Sequence, residues 1–159
     1  MVYYSLERIT DLVEELSELF PLHNKEAKIY DDLVLDFDWD VYSSLQDAGA
    51  YFMFTVRDSD TGKLSGYLGY LVGPSPFYKG ETYAKMDLLY LQDDLRGSSV
   101  STELLEFAEA SLLSEQDVTI ITASLPSSKP LRKTLGSLGY LEKEITFTKY
   151  IGDERWQQQ

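Results

Sequence analysis

Apolar residues change their spacing several times along the chain, and each change marks an element. Residues 2–6 are rich in β-formers and predict a short strand. The period then turns helical: Ile9, Leu12, Val13, Leu16 and Phe20 recur at i, i+3, i+4 and i+7, while Asp11, Glu14, Glu15 and Glu18 mostly take the other face. That pattern predicts a surface helix with one buried stripe. Residues 21–49 are polar and weakly periodic, with room for two short helices. Residues 50–57 (AYFMFTVR) form a dense β run, DSDTGK is turn-forming, and residues 64–72 (LSGYLGYLV) form a second run, so a hairpin is expected with a loop of about six residues. A further strand spans 82–91 (TYAKMDLLYL) and ends at the polar bend QDDLRGSS.

Val100, Leu104, Leu105, Ala108 and Leu112 restore the helical spacing over 100–113, and VTIITA at 118–123 is a short buried strand. SSKPLRKTLGSLG predicts a helix with a Ser cap, Pro130 in its first turn and Gly139 as terminator, burying Leu131, Leu135 and Leu138. Residues 140–151 alternate, with Ile145, Phe147 and Lys149 on one side, and predict a last strand; 153–159 read as a frayed tail beyond a single domain at 1–152. The class is α+β, a mixed sheet with helices.

Composition narrows the function. With 159 residues, 43% apolar and 26% charged, one globular domain is expected. The absence of Cys excludes a disulfide scaffold, a Cys nucleophile and a thiolate zinc site. No apolar run approaches a membrane span, and MVYYSLERIT lacks a basic segment followed by an apolar core, so a soluble, cytoplasmic protein is expected. A formal charge of −13 repels phosphate backbones and disfavours nucleic acid as a partner. Fourteen acids and four bases fall within residues 1–60, a net of −10, against thirteen acids and ten bases in 61–159, a net of −3. If the acidic third borders a site, its ligand is an amine, a polyamine or a Lys-rich protein surface; otherwise it is a solvated face.

Three places carry candidate chemistry. In LYLQDDLRGSSVSTELL a strand, a tight polar loop and a helix follow directly on one another. Successive amides at such a helix start form a concave anion site suited to a diphosphate. Arg96 either adds donors to that site or pins the loop, and Ser98, Ser99 and Ser101 either face the anion or cap the helix. Asp87 interrupts an otherwise mostly apolar strand, which is unfavourable unless it has a function or faces water. Asp36, Asp38, Asp40 and Asp47 match positions 1, 3, 5 and 12 of a calcium loop, but Val41 stands where the turn needs Gly, so no metal site is expected.

The order of elements, together with LYLQDDLRGSSVSTELL, resembles the Gcn5-related N-acetyltransferase family over nearly the whole chain. The resemblance implies the family's acyl-CoA N-acyltransferase fold: a mostly antiparallel sheet splayed between strands four and five, with helices on both faces. Arg96, Ser99 and Ser101 fall on the acyl-CoA motif positions, although the family prefers Gly at the second and Gly or Ala at the third. It further implies acetyl-CoA as co-substrate, with Gly97, Ser98, Val100 and Ser128 in the cofactor site and backbone near Leu89 and Leu91 holding the carbonyl oxygen. Asp87 corresponds to a position that often holds the base. Leu135 stands where many relatives carry a Tyr general acid, leaving another Tyr or water to protonate the thiolate, or the chain inactive.

LHNKEA with DFDWDVYSSLQDAGA is similar to the N-terminal part of acetyltransferase-like proteins encoded by bacteriophages, which would place it in a host bacterial cytoplasm. That likeness implies an acceptor pocket from His23, Glu26, Asp38, Trp39 and Tyr42, closed by Tyr78; alternatively, His23 and Glu26 simply cap or pair locally. Two functions follow from the resemblance. One is acetyl transfer to a primary amine of a cationic small molecule or protein lysine. The other is a fold without turnover that blocks a host protein through its acidic surface. A homodimer is compatible with either.

Overall fold

The computed structural model describes residues 1–27, 36–125 and 131–149. The chain runs through strand β1 (Val2–Glu7), a 3-10 turn at Ile9–Asp11, α1 (Val13–Ala27) and α2 (Trp39–Asp47). Strands β2 (Tyr51–Asp58), β3 (Leu64–Pro74) and β4 (Thr82–Leu91) follow, then a 3-10 turn at Asp93–Leu95, α3 (Val100–Gln116), β5 (Val118–Thr122) and α4 (Leu131–Ser137). The five strands lie in the order β1-β2-β3-β4-β5, antiparallel except for the parallel β4–β5 pair. This is the mixed sheet the sequence predicts.

Alternation along the strands sorts side chains onto two faces, each packed by helices. Tyr51, Met53, Tyr67 and Tyr90 meet Ile9, Leu12, Leu16, Leu19 and Phe20 on one face. Phe54, Val56, Leu68, Tyr70, Ala84 and Met86 meet Leu104, Leu105, Ala108 and Leu112 of α3 and Leu135 of α4 on the other. Each fully buried Leu or Phe stabilises by about 1.5–3 kcal/mol, so the two layers hold the sheet from both sides.

Helix α1 continues past Pro21, where the polar sequence gave no clear period. Pro21 has no N–H to offer Ser17, which ordinarily weakens a helix. Burial on both sides of it compensates: Leu19, Phe20 and His23 are all inside, and Phe20 stacks on Phe37 at 3.6 Å. Asp38 starts α2, its Oδ1 accepting from the Val41 amide at 3.1 Å, and Asp47 pairs with Arg8 at 3.0 Å.

Arg57 ties α1 to the sheet. Its guanidinium donates to Glu7 at 2.7 and 2.9 Å, to Glu15 at 2.8 and 2.9 Å, and to the Gly62 carbonyl at 2.7 Å. The hydrogen bonds from Arg57 hold both carboxyls below the usual Glu range. Their folded values being depressed, the stability they contribute is present above the unfolded value near pH ~4.3 and is lost as pH falls through the folded values. Arg57→Met should therefore cost about 3 kcal/mol in urea denaturation at pH 7, because two buried-edge carboxylates lose their partner, and should flatten the decline in stability below about pH 4.5.

The C-terminal expectation fails over the described part of the segment. Residues 140–149 form no strand, and Ile145 and Phe147 are 83% and 92% exposed. Alternation makes a strand only where a ladder and an apolar face receive it, and residues 140–149 pair with no described strand. The segment is tied at its start instead, where Gly139 takes φ +89°, the Tyr140 amide bonds the Leu135 carbonyl at 3.0 Å, and Arg132 meets Glu142 at 2.6 Å. The tail at 153–159 lies outside the described residues. No helix among the described residues is long and apolar enough to cross a membrane.

Candidate active site

Three features of β4 converge. First, β5 pairs with it only from Thr82↔Val118 to Lys85↔Thr122, so from Met86 to Leu91 the β5-side edge has no ladder partner among the described residues. Second, the β3–β4 register passes from Tyr70↔Met86 to Gly69↔Leu88, which leaves Asp87 as the extra residue of a β-bulge. Third, β4 runs through the turn at Asp93–Leu95 straight into the start of α3. The strand thus opens, re-aims one carboxylate and leads to a helix N-terminus within about a dozen residues.

The bulge turns Asp87 onto the α1–α2 face, where Tyr42 and Tyr51 both donate to its Oδ2 at 2.9 and 3.1 Å. Oδ1 takes no hydrogen bond from the described residues, and the side chain is exposed. Burial first, and then the Asp87 charge, pushes both phenols above their ordinary range, so both remain donors at any physiological pH. Tyr51 reaches the carboxylate only because residue 69 is Gly: a Cβ there would stand 2.1 Å from the Tyr51 hydroxyl. Tyr42 packs edge-on against Tyr51 at 4.9 Å, and Trp39, Phe37 and Phe20 extend the aromatic row away from it.

His23 is buried with Nδ1 2.7 Å from the Tyr67 hydroxyl, and its ring lies against Tyr90. Glu26 reaches Arg96 at 2.8 Å. Arg96 also donates to the Leu91 carbonyl at 2.8 Å, meets Asp93 at 3.1 Å and sits 5.4 Å over the Tyr90 ring. Of the two roles open to Arg96, its contacts here are those of a brace that holds the loop. Asp38 serves as a helix cap, Tyr42 bonds Asp87, and Trp39 lies behind Tyr42 with ring centroids 6.4 Å apart. Tyr78 is 64% exposed in the turn before β4, which begins at Thr82, five residues ahead of Asp87.

At the helix start, Gly97 takes φ +73° with nothing near the position a Cβ would fill. The amides of Ser101 and Thr102 precede the first helical bond, which runs from Glu103 to the Ser99 carbonyl at 2.9 Å. Ser98 Oγ donates to the Leu95 carbonyl at 2.5 Å and accepts weakly from the Val100 amide at 3.3 Å, while the Ser99 hydroxyl turns aside to Glu103. The loop thus leaves the Ser101 and Thr102 amides outside the helical ladder despite its Ser residues. Leu89 and Leu91 lie on the open half of β4; Ser128 falls outside the described residues. Among the described residues, no group of His, Asp and Glu is arranged to hold a metal.

The sequence matches no protein-family model and none of the curated proteins. Solved structures match nearly end to end. A ribosomal-protein-alanine N-acetyltransferase from Brucella melitensis superposes with a TM-score of 0.70 at 19% identity, over 96% of this chain and all of that one. A predicted acetyltransferase from Clostridium acetobutylicum, solved with acetyl-CoA, gives 0.71 at 12% identity, over 94% and 96%. The fold is that of the Gcn5-related N-acetyltransferases. An aminoglycoside acetyltransferase from an uncultured soil sample carries the same acetyltransferase fold, with a TM-score of 0.72 at 12% identity over 96% and 97% of the two chains.

Sequence reasoning missed Tyr51, Tyr67, Gly69 and Tyr90. The signal available was Tyr at inward strand positions of β2, β3 and β4, with a Gly two residues after Tyr67. An aromatic hydroxyl inside a sheet needs a partner, and a neighbouring Gly makes room for one.

Proposed function

We propose that this chain transfers an acetyl group from acetyl-CoA to a primary amine on a cationic acceptor, a small molecule or a protein lysine. The parting of β4 from β5 beyond Lys85 carries the proposal, because it opens beside both the helix-start amides and the bulged Asp87. The amides of Ser99, Val100, Ser101 and Thr102 would receive the diphosphate, with Gly97 letting the loop turn and Arg96 bracing it from behind. Backbone amides of the unpaired stretch near Leu89 and Leu91 supply donors for the developing carbonyl oxyanion. Acetyl-CoA supplies an activated acyl carbon.

On the other face, Asp87 Oδ1 receives the acceptor amine, which attacks in its neutral form and gives Asp87 the proton it sheds as nitrogen bonds the acetyl carbon, while Tyr42 and Tyr51 fix Oδ2. Tyr42, with Trp39 behind it, and Tyr51 set aromatic surface beside that carboxylate, which favours cations. The net charge of −10 over residues 1–60 steers a basic acceptor in the same direction.

The test is thiol release from acetyl-CoA with a panel of diamines, aminosugars and Lys-containing peptides beside neutral amines. Saturable release with the cationic members is expected. Release at the background rate with every member, from a chain that binds acetyl-CoA, would favour a fold that acts by binding through its acidic surface.

A further inference from the structure

Among the described residues Lys85 is the only lysine that lies in a strand. It stands inside the sheet, between Leu71 on β3 and Thr122 on β5. A charged side chain on a sheet face is ordinarily steadied by an opposite charge across the strand, and neither of these neighbours carries one. Lys85 is exposed and makes no ion pair or hydrogen bond with any described residue. In a chain with a formal charge of −13, a cation left without a partner needs a reason.

Two relations place it beside the chemistry. Alternation puts Lys85 and Asp87 on one face of β4, about 7 Å apart along the strand. Leu71 and Tyr51, the next residues in the same cross-strand row, both pack in the α1 layer, and Tyr51 is the residue that donates to Asp87 at 3.1 Å. Lys85 therefore projects from the face on which the acceptor amine meets Asp87. Along the strand it is the last residue paired with β5, so the opening begins at the residue that follows it. Its flexible four-carbon stem can carry Nζ from there toward the carboxylate.

We propose that Lys85 is itself an acetyl acceptor: with no other amine bound, its Nζ takes the acetyl group from acetyl-CoA held by the same molecule. This rests on the acetyl-transfer reading above. Nζ attacks in its neutral form and bonds the acetyl carbon. The C–S bond breaks with its electron pair on sulfur, which takes a proton from water, and the proton shed by nitrogen passes to Asp87 Oδ1 and on to solvent. The products are acetylated Lys85 and CoA. The modification removes a cation from beside Asp87, which favours a basic acceptor there.

The test is incubation of the wild-type chain with acetyl-CoA and no added amine, followed by intact-mass measurement and peptide mapping, beside Lys85→Arg and Asp87→Asn. Wild type should gain a single acetyl group at Lys85 and release thiol in equal amount. The reaction should be first order, with a rate constant unchanged over about a tenfold range of protein concentration, as transfer within one molecule requires. Lys85→Arg should bind acetyl-CoA as wild type does and lose this burst of thiol. Asp87→Asn should modify Lys85 on the order of 10²-fold more slowly. The other lysines, and the chain unfolded in urea, report the uncatalysed rate. Lys85 modified no faster than these overturns the inference, and acetyl transfer stands if added amines still release thiol. A rate that rises with protein concentration also overturns it, because the transfer is then between molecules. A wild-type chain that binds no acetyl-CoA overturns both.

Discussion

Asp87→Asn is expected to lower kcat/KM for acetyl transfer by about 10²- to 10⁴-fold, the range for losing a positioned proton acceptor, while acetyl-CoA binds as before. The separation follows from the fold. Asp87 projects to the α1–α2 face from a bulge, whereas the helix-start amides lie at the far end of β4, beyond Leu91. Asn keeps an oxygen for the Tyr42 and Tyr51 hydroxyls, so neither phenol is stranded and stability should change little. The charge that holds an ammonium and the basicity that takes its proton are both gone. Steady-state thiol release paired with an acetyl-CoA titration measures the two effects separately. A variant that turns over normally would remove Asp87 from the chemistry and leave its two tyrosines a purely structural arrangement.

Gly69→Ala should destabilise the protein by about 1–3 kcal/mol and disarm the same site from a position that never touches substrate. The new Cβ would stand 2.1 Å from the Tyr51 hydroxyl and 2.9 Å from the ring carbon that bears it. Tyr51 has little room to yield, being 3% exposed and packed edge-on against Tyr42. Forced aside, it gives up its bond to Asp87. Adding Tyr51→Phe removes the closest atom of the clash, so the double variant should be more stable than the sum of the two single changes implies. Urea denaturation of all four proteins checks this. Strict additivity would mean that Tyr51 does not depend on the space at residue 69.

The sequence made the scaffold legible where period and punctuation agreed. The 50–57 and 64–72 runs, the 82–91 strand and the Val100-to-Leu112 stripe all became elements within a few residues of their predicted bounds, because each has a face to bury and a turn to end it. Pro21 hid the second half of α1: a local breaker was outweighed by the burial of Phe20 and His23, which only the folded sheet supplies. At the other end, alternation over 140–149 promised a strand, and the segment pairs with no described strand.

Site residues divided along a similar line. Asp87 stood out because an acid inside an apolar strand contradicts propensity, but the bulge that aims it was invisible, since a bulge is a relation between two strands. Tyr51 and Gly69 were hidden for the same reason. Arg96 was legible as a residue of the loop before α3; its contacts with Glu26, Asp93 and Leu91 needed α1 and β4 brought together. Helix α1 is thus joined to the loop at the start of α3.

The most direct test of the account is a calorimetric titration of the wild-type chain with acetyl-CoA, run beside Ser99→Trp. Wild type should give a saturable, micromolar isotherm with a stoichiometry of one, and the variant none, because an indole at residue 99 fills the space before the α3 amides while leaving the buried layers untouched. Equal binding by both proteins would place the ligand elsewhere, and no heat from wild type would mean that the opening between β4 and β5 does not accept an acyl thioester at all.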